Sequence, residues 1–166
     1  MIILGIDPAL RCTGYGVIRT TNKRTEVVDC GIIKTPQKES VSECLRRISG
    51  GISALIETYA PDQAAIEGGF YHKNAKTAML LGMARGTIVS QLAINKIPVF
   101  EYAPKKAKVA VTGYGKASKQ QVANVISNML NITEEIPLDA SDALSIALCH
   151  FQAKQSNHPL LSSQEI

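Results

Sequence analysis

A chain of 166 residues, 45% apolar and 19% charged, is sized and composed for one globular domain, and no uninterrupted apolar run nears the roughly 18 residues of a membrane span. The net charge of +4 hides an asymmetry: residues 1–67 carry eight Lys/Arg against eight Asp/Glu, residues 68–133 nine against the single Glu101, and residues 134–166 one against five. Such a basic middle points to a polyanion, nucleic acid first, while four scattered cysteines without CxxC spacing (Cys12, Cys30, Cys44, Cys149) favour a reduced intracellular setting and disfavour a zinc site.

The opening, MIILGIDPALRCTGYG, is a strand pattern rather than a secretion signal, so no signal peptide is expected. Ile2, Ile3, Leu4 and Ile6 form a short buried run that delivers Asp7 where Pro8 stops the strand. Gly14 and Gly16 bracket Tyr15 and lead into a second strand ending near Arg19; after a turn at Thr20–Thr25 comes a third, Glu26–Thr35. Ser40 and Glu43 form a capping-box signature for a helix carrying Cys44, Ile48, Ile52 and Leu55, weakened at Gly50-Gly51 and ended by Pro61. Gln63–Ile66 is a fourth strand and leads into Glu67. Asn74 caps a second helix, to about Asn95, with the small residues Gly82, Ala84, Gly86 and Ala93. Ile97–Tyr102 is a fifth strand, parallel to the fourth because a helix lies between them. Residues 103–117 read as a functional loop, rich in glycine and in Lys105, Lys106, Lys108 and Lys116. Ser118 and Gln121 cap a third helix, and a last helix runs from Asp139 to about Phe151. The expectation is β-β-β-α-β-α-β-α-α, a domain over residues 1–152 followed by a polar, flexible tail at 153–166.

Three places put carboxylates at element ends: Asp7, Glu67, and Asp139 with Asp142. The last two are three apart on a helix and share a face. If strands one and four are adjacent and parallel, Asp7 and Glu67 end at one edge, and the last helix can bring the other pair to it. So many carboxylates cannot ionise together without cations between them, and oxygen-only donors suit Mg²⁺ or Mn²⁺. Two such ions about 3.5–4 Å apart suit in-line phosphodiester hydrolysis. Each acid also has a plain structural reading: Asp139 and Asp142 as a helix cap and first-turn acid, Glu67 as a loop start.

The motifs GIDPALRCTGYGVI, AIEGGFYHKNAKTAMLLGMARG, PVFEYAPKKAKVAVTGYGKASKQQV and DASDALSIALCH together resemble the RuvC family of bacterial Holliday junction resolvases over about residues 2–151. The resemblance implies an α/β ribonuclease H-like fold with a five-stranded mixed sheet: three antiparallel strands, then parallel ones, flanked by helices. It implies a crossover junction endodeoxyribonuclease that nicks opposed strands of a four-way DNA junction in recombination and repair. Asp7, Glu67, Asp139 and Asp142 match the metal-binding catalytic acids, for Mg²⁺ (or Mn²⁺), two per site. Lys108 and Lys119 match lysines near the scissile phosphate, and Phe70 matches an aromatic that stacks on unpaired bases. Lys73, Lys105, Lys106 and Lys116 are expected to contact DNA. The implied partners are a second copy joined through the second helix and the RuvA-RuvB branch-migration complex, in the bacterial cytoplasm with no membrane association.

The chain departs from the family pattern at Ala9, where glycine is usual, and at Gly68 and Gly69, where larger residues are usual and where paired glycines would loosen the Phe70 loop. His150 reads as structural, and His72 as a possible DNA contact. Two other readings remain open at this point. GIDPALRCTGYG also looks like the phosphate-binding hairpin of actin-like kinases and ATPases, although the second such hairpin they need is missing. A non-catalytic junction-binding module would retain the acids for structure only.

Overall fold

The computed structural model describes residues 1–21, 24–68, 74–156 and 164–166. Among these, the chain forms β1 (Ile2–Asp7), β2 (Cys12–Thr20), β3 (Thr25–Lys34), α1 (Val41–Tyr59), β4 (Gln63–Glu67), α2 (Ala75–Ile94), β5 (Val99–Tyr102), α3 (Pro104–Thr112), α4 (Lys119–Leu130), α5 (Leu138–Ser156) and β6 (Gln164–Glu165). The sheet order is β3-β2-β1-β4-β5-β6. β1, β2 and β3 form an antiparallel meander, β4 lies parallel to β1, and β5 lies parallel to β4. The five-stranded mixed sheet expected from the sequence is therefore present, with β6 added as a short antiparallel edge on β5.

Strand side chains alternate between the two faces of a sheet, and here that alternation builds two cores. Leu4, Ile6, Val17, Ala64, Ile66 and Val99 pack with Ile48 and Ile52 of α1 and with Ala84, Ile88 and Leu92 of α2. On the other face, Ile3 and Ile18 meet Val122 and Ile126 of α4 and Leu144 and Ala147 of α5. Ala65 and Tyr102 complete that face with Ile146 and Cys149 of α5. Asp7 follows Ile3 and Gly5 in phase, and Glu67 follows Ala65, so both acids belong to the α5 face.

α5 lies unusually close to β1 and β2 because glycine lines the contact. A Cβ at Gly5 would stand 2.2 Å from the Ala143 carbonyl oxygen, and one at Gly14 would stand 2.0 Å from that of Asp139. The glycines of the opening hairpin thus set the height at which the first turn of α5 crosses the sheet end.

Three local expectations change. Residues 104–112 of the expected loop form α3, started by Pro104 at a first-turn position, where proline loses no helical hydrogen bond, and ended by Gly113 at φ 71°. α1 runs unbroken through Gly50-Gly51; a Cβ at Gly51 would stand 2.7 Å from Ile33 Cδ1, so this glycine seats the helix on β3. Ser40 caps α1 by accepting from the Glu43 amide at 3.3 Å, but the Glu43 carboxylate turns to Arg46 rather than closing a capping box. The box at Ser118 and Gln121 is complete.

Beneath the sheet, His150 is fully buried. Its Nε2 lies 2.9 Å from Gln63 Oε1, which can only accept, so Nδ1 accepts from the Tyr102 hydroxyl at 2.8 Å. This neutral, fully partnered imidazole is structural. Burial, with the Lys154 charge adding to it, pulls its pKa down to about 4.

Two predictions follow from these contacts. Gly14→Ala should cost about 2–3 kcal/mol in urea unfolding, since the α5 backbone must move away; an unchanged midpoint would show that the close approach is not required. His150 binds its proton near pH 6.5 when unfolded but only near 4 when folded, so stability should fall by about 2–3 kcal/mol as pH drops from 7 to 4.5. A His150→Asn variant should lack that part of the slope; the same slope in both proteins would refute the assignment.

Candidate metal-dependent active site

The parallel register pairs Ile6 with Ile66, so the next residues, Asp7 and Glu67, end level with one another on adjacent strands. Both point to the α5 face, where the N-terminal end of α5 supplies Asp139 and Asp142. Carboxylate oxygens of Asp7, Asp139 and Asp142 lie within 4.8 Å of one another. Asp7, Glu67 and Asp142 together line a cleft of about 200 Å³, closed by Pro104, Ala107 and Lys108 of α3, by Lys119, and by Ser145 of α5.

The charge balance of this cleft is visible in its ionisation. Burial, reinforced by the charges of Glu67 and Asp142, pushes the Asp7 carboxyl up to about 7. Burial and Asp142 also raise Glu67. Lys119 answers them: its Nζ sits 2.6 Å from Asp142 Oδ2 and 3.3 Å from Asp139 Oδ1. Burial alone would lower this lysine, but its bond to Asp142 and the surrounding carboxylates outweigh that and hold it well above its ordinary range. As the first residue of α4, Lys119 is placed by the Ser118–Gln121 capping box beside it.

Lys108, on α3, lines the same cleft and donates from Nζ to the Ala117 carbonyl at 2.9 Å. Lys105 and Lys116 are exposed on the α3–α4 segment, and Lys106 is partly buried toward Cys149. Phe70, His72 and Lys73, together with Gly69, lie outside the described residues. Gly68 is buried, and its amide donates to the Tyr102 carbonyl at 2.9 Å. Pro104, Ala107 and Ser145 were not legible as cleft residues; only Ser145, three residues after Asp142 on one helix, had a spacing that could have revealed it.

Four carboxylates without histidine fit a hard divalent cation held by oxygen, and the raised proton affinity of Asp7 and Glu67 is the mark of a site short of positive charge. Cys12 stands beside Asp139, but burial and that carboxylate push its thiol up to about 11, which keeps it protonated and unsuited to a soft metal.

Residues 3–150 match the family model described as "Crossover junction endodeoxyribonuclease RuvC". A protein of that description from Natranaerobius thermophilus is 41% identical over 155 residues, spanning 92% of this chain and 96% of its own. Another, from Geotalea uraniireducens, is 47% identical over 150 residues, spanning 90% and 88%. The structure of Thermus thermophilus RuvC in complex with a Holliday junction substrate aligns at a TM-score of 0.87 and 27% identity, over 100% of this chain and 99% of that one.

Because folding raises the Asp7 pKa, the folded protein holds this proton more tightly, and stability without divalent ions should decline as pH rises from about 4 through about 7. Asp7→Asn should remove that decline and raise stability at pH 8 by about 2 kcal/mol in EDTA. Mn²⁺ should raise the wild-type melting temperature and leave the variant's nearly unchanged. Equal Mn²⁺ shifts in both proteins would exclude Asp7 as a ligand.

Proposed function

Since the chain belongs to the RuvC family of crossover junction endodeoxyribonucleases, we infer that it resolves four-way DNA junctions by metal-dependent phosphodiester hydrolysis in two opposed strands. The observation that carries this reading is the level pairing of Asp7 and Glu67 at the end of parallel strands, capped by Asp139 and Asp142 across a cleft with lysines on its rim. The Thermus junction complex supports the same substrate class here.

In this reading the four acids hold Mg²⁺, with Mn²⁺ able to substitute, two ions to a site. When bound, the ions supply an activated water and stabilise the leaving oxygen. The chain's own part is geometric and electrostatic. Asp7 and Glu67 are fixed by the sheet, so the phosphate is positioned against rigid donors rather than loops. Lys119, whose ammonium lies against Asp139 and Asp142, is the cation best placed to follow the developing negative charge on the phosphate, and Lys108 stands beside it on the cleft wall. Lys105, Lys106 and Lys116 extend the positive rim along the approach of DNA, while Phe70 stacks on an unpaired base and Lys73 meets a phosphate.

Two opposed strands need two sites, and α2 offers the surface that would join two copies. It is long and apolar enough for a membrane span by length and composition, with mean hydropathy 1.3, and little of it is buried. Yet Ala84, Ile88 and Leu92 pack on the core, Lys76 and Arg85 interrupt its apolar run, and Met79 and Met83 stand outside. This pattern suits a homodimer helix better than a lipid-facing one. Junction DNA delivered by RuvA-RuvB, in the bacterial cytoplasm, completes the proposal, with a nuclease unit that reaches past the expected boundary at 152, since α5 runs to Ser156 and β6 joins the sheet.

The test is cleavage of a synthetic junction with a mobile core in Mg²⁺, beside linear duplex of matched sequence. Paired nicks in opposed strands are expected on the junction alone. Asp7→Asn should slow them by at least about 100-fold while junction binding persists and weakens with salt. Tight binding without nicks, in either metal and across varied core sequences, would make the protein a binding module instead.

A further inference from the structure

The carboxylate of Glu67 points to the α5 face, but its backbone is held from the other side of the sheet. Ile66 and Gly68 face α1 and α2, as do Val99 and Glu101 on β5, and Ile66 pairs with Glu101 in the parallel register. Into this corner α2 extends Arg85, whose side chain is only 16% exposed. Its Nη1 donates to the Glu67 carbonyl oxygen at 3.3 Å, and its Nη2 donates to Glu101 Oε2. Glu101 is the sole acid in the basic stretch 68–133.

The space for this pair depends on the residue after Glu67. A Cβ at Gly68 would stand 2.0 Å from Glu101 Cγ, 2.2 Å from its Cδ and 2.3 Å from its Oε1. A free glutamate would swing aside at little cost, but this one is engaged by a guanidinium that also holds the Glu67 carbonyl. A half-buried charge pair is costly to desolvate, and its use is to fix geometry rather than to add stability. Arg, with its planar fork, can hold a carboxylate and a carbonyl at once, which a lysine does less well.

We propose that Arg85 and Glu101 are positioning residues for Glu67, a brace behind the sheet that fixes this metal-site carboxylate through its backbone, and that Gly68 leaves the room in which the Glu101 side chain meets Arg85. The proposal rests on the reading of Glu67 as a metal-holding residue. It ties the carboxylate to α2, so that the helix proposed to join two copies and the cleft share one rigid connection.

The test separates the brace from general stability and from the nuclease reading by measuring Mn²⁺ binding by calorimetry alongside junction cleavage. Arg85→Gln should weaken Mn²⁺ binding about tenfold and raise the Mn²⁺ needed for half-maximal cleavage by the same factor, with junction affinity unchanged. Arg85→Lys should recover part of the loss. Gly68→Ala should weaken Mn²⁺ binding in the wild type but add nothing in a Glu101→Ala background, because the side chain it displaces is already gone. Lower melting temperature with unchanged Mn²⁺ binding, or additive effects of Gly68→Ala and Glu101→Ala, would overturn the brace. If Arg85→Gln does not fold, the Gly68–Glu101 cycle decides alone. A wild type that binds Mn²⁺ but never cuts would sink the nuclease reading, while the calorimetry would still judge the brace.

Discussion

Two carboxylates brought level at the end of adjacent parallel strands are the constraint on which the site depends. Neither Asp7 nor Glu67 has a reason to be ionised there: each is partly withdrawn from water, and each raises the cost of charging the other. The sheet imposes the arrangement nonetheless, because the register is fixed by apolar alternation on two packed faces. Slipping β4 by one residue would send Ile66 into the α5 face and Glu67 into the α1–α2 core. The hydrophobic effect therefore holds an electrostatically unfavourable pair in place, and the repulsion is relieved by protonation of a carboxyl or by positive charge in the cleft.

Two devices bring the remaining groups into range. Glycine in the first hairpin lets the α5 backbone come down onto β1 and β2, so that Asp139 and Asp142 reach Asp7 across the sheet end. A capping box then starts α4 with Lys119 directed at that same turn of α5. Both devices act through backbone geometry, and short acidic side chains suffice as a result. Longer side chains reaching from farther away would lose more rotamer freedom on binding an ion.

Much of this was legible in the residues. The buried run ending at Asp7, the helical spacing after Ser40, the paired acids of the last helix and the parallel fourth and fifth strands follow from periodicity, capping chemistry and crossover topology. The pairing of β1 with β4 was only a supposition until the register showed it. What escaped reading had weak local signals. α3 has a proline, three lysines and a following glycine in a segment of low hydropathy, so it looks like a loop; Pro104 at its start and the burial of Ala107 and Val111 make it a helix. β6 is two residues long and acquires its identity only by pairing with β5. Nothing local to Gly68 shows that the Glu101 side chain lies beside it, because Glu101 comes from a strand more than thirty residues later. Contacts of that range have no periodicity to announce them.

The charge asymmetry along the chain acquires its meaning in three dimensions. The basic middle and the acidic final segment follow one another in sequence, and the packing of α4 on α5 brings Lys119 from the first against Asp139 and Asp142 of the second. The same lysine lines the cleft with half its side chain exposed. Its elevated proton affinity keeps it cationic throughout, which a histidine in the same position could not guarantee near neutral pH. A site built from excess carboxylates thus carries its own counter-charge in Lys119.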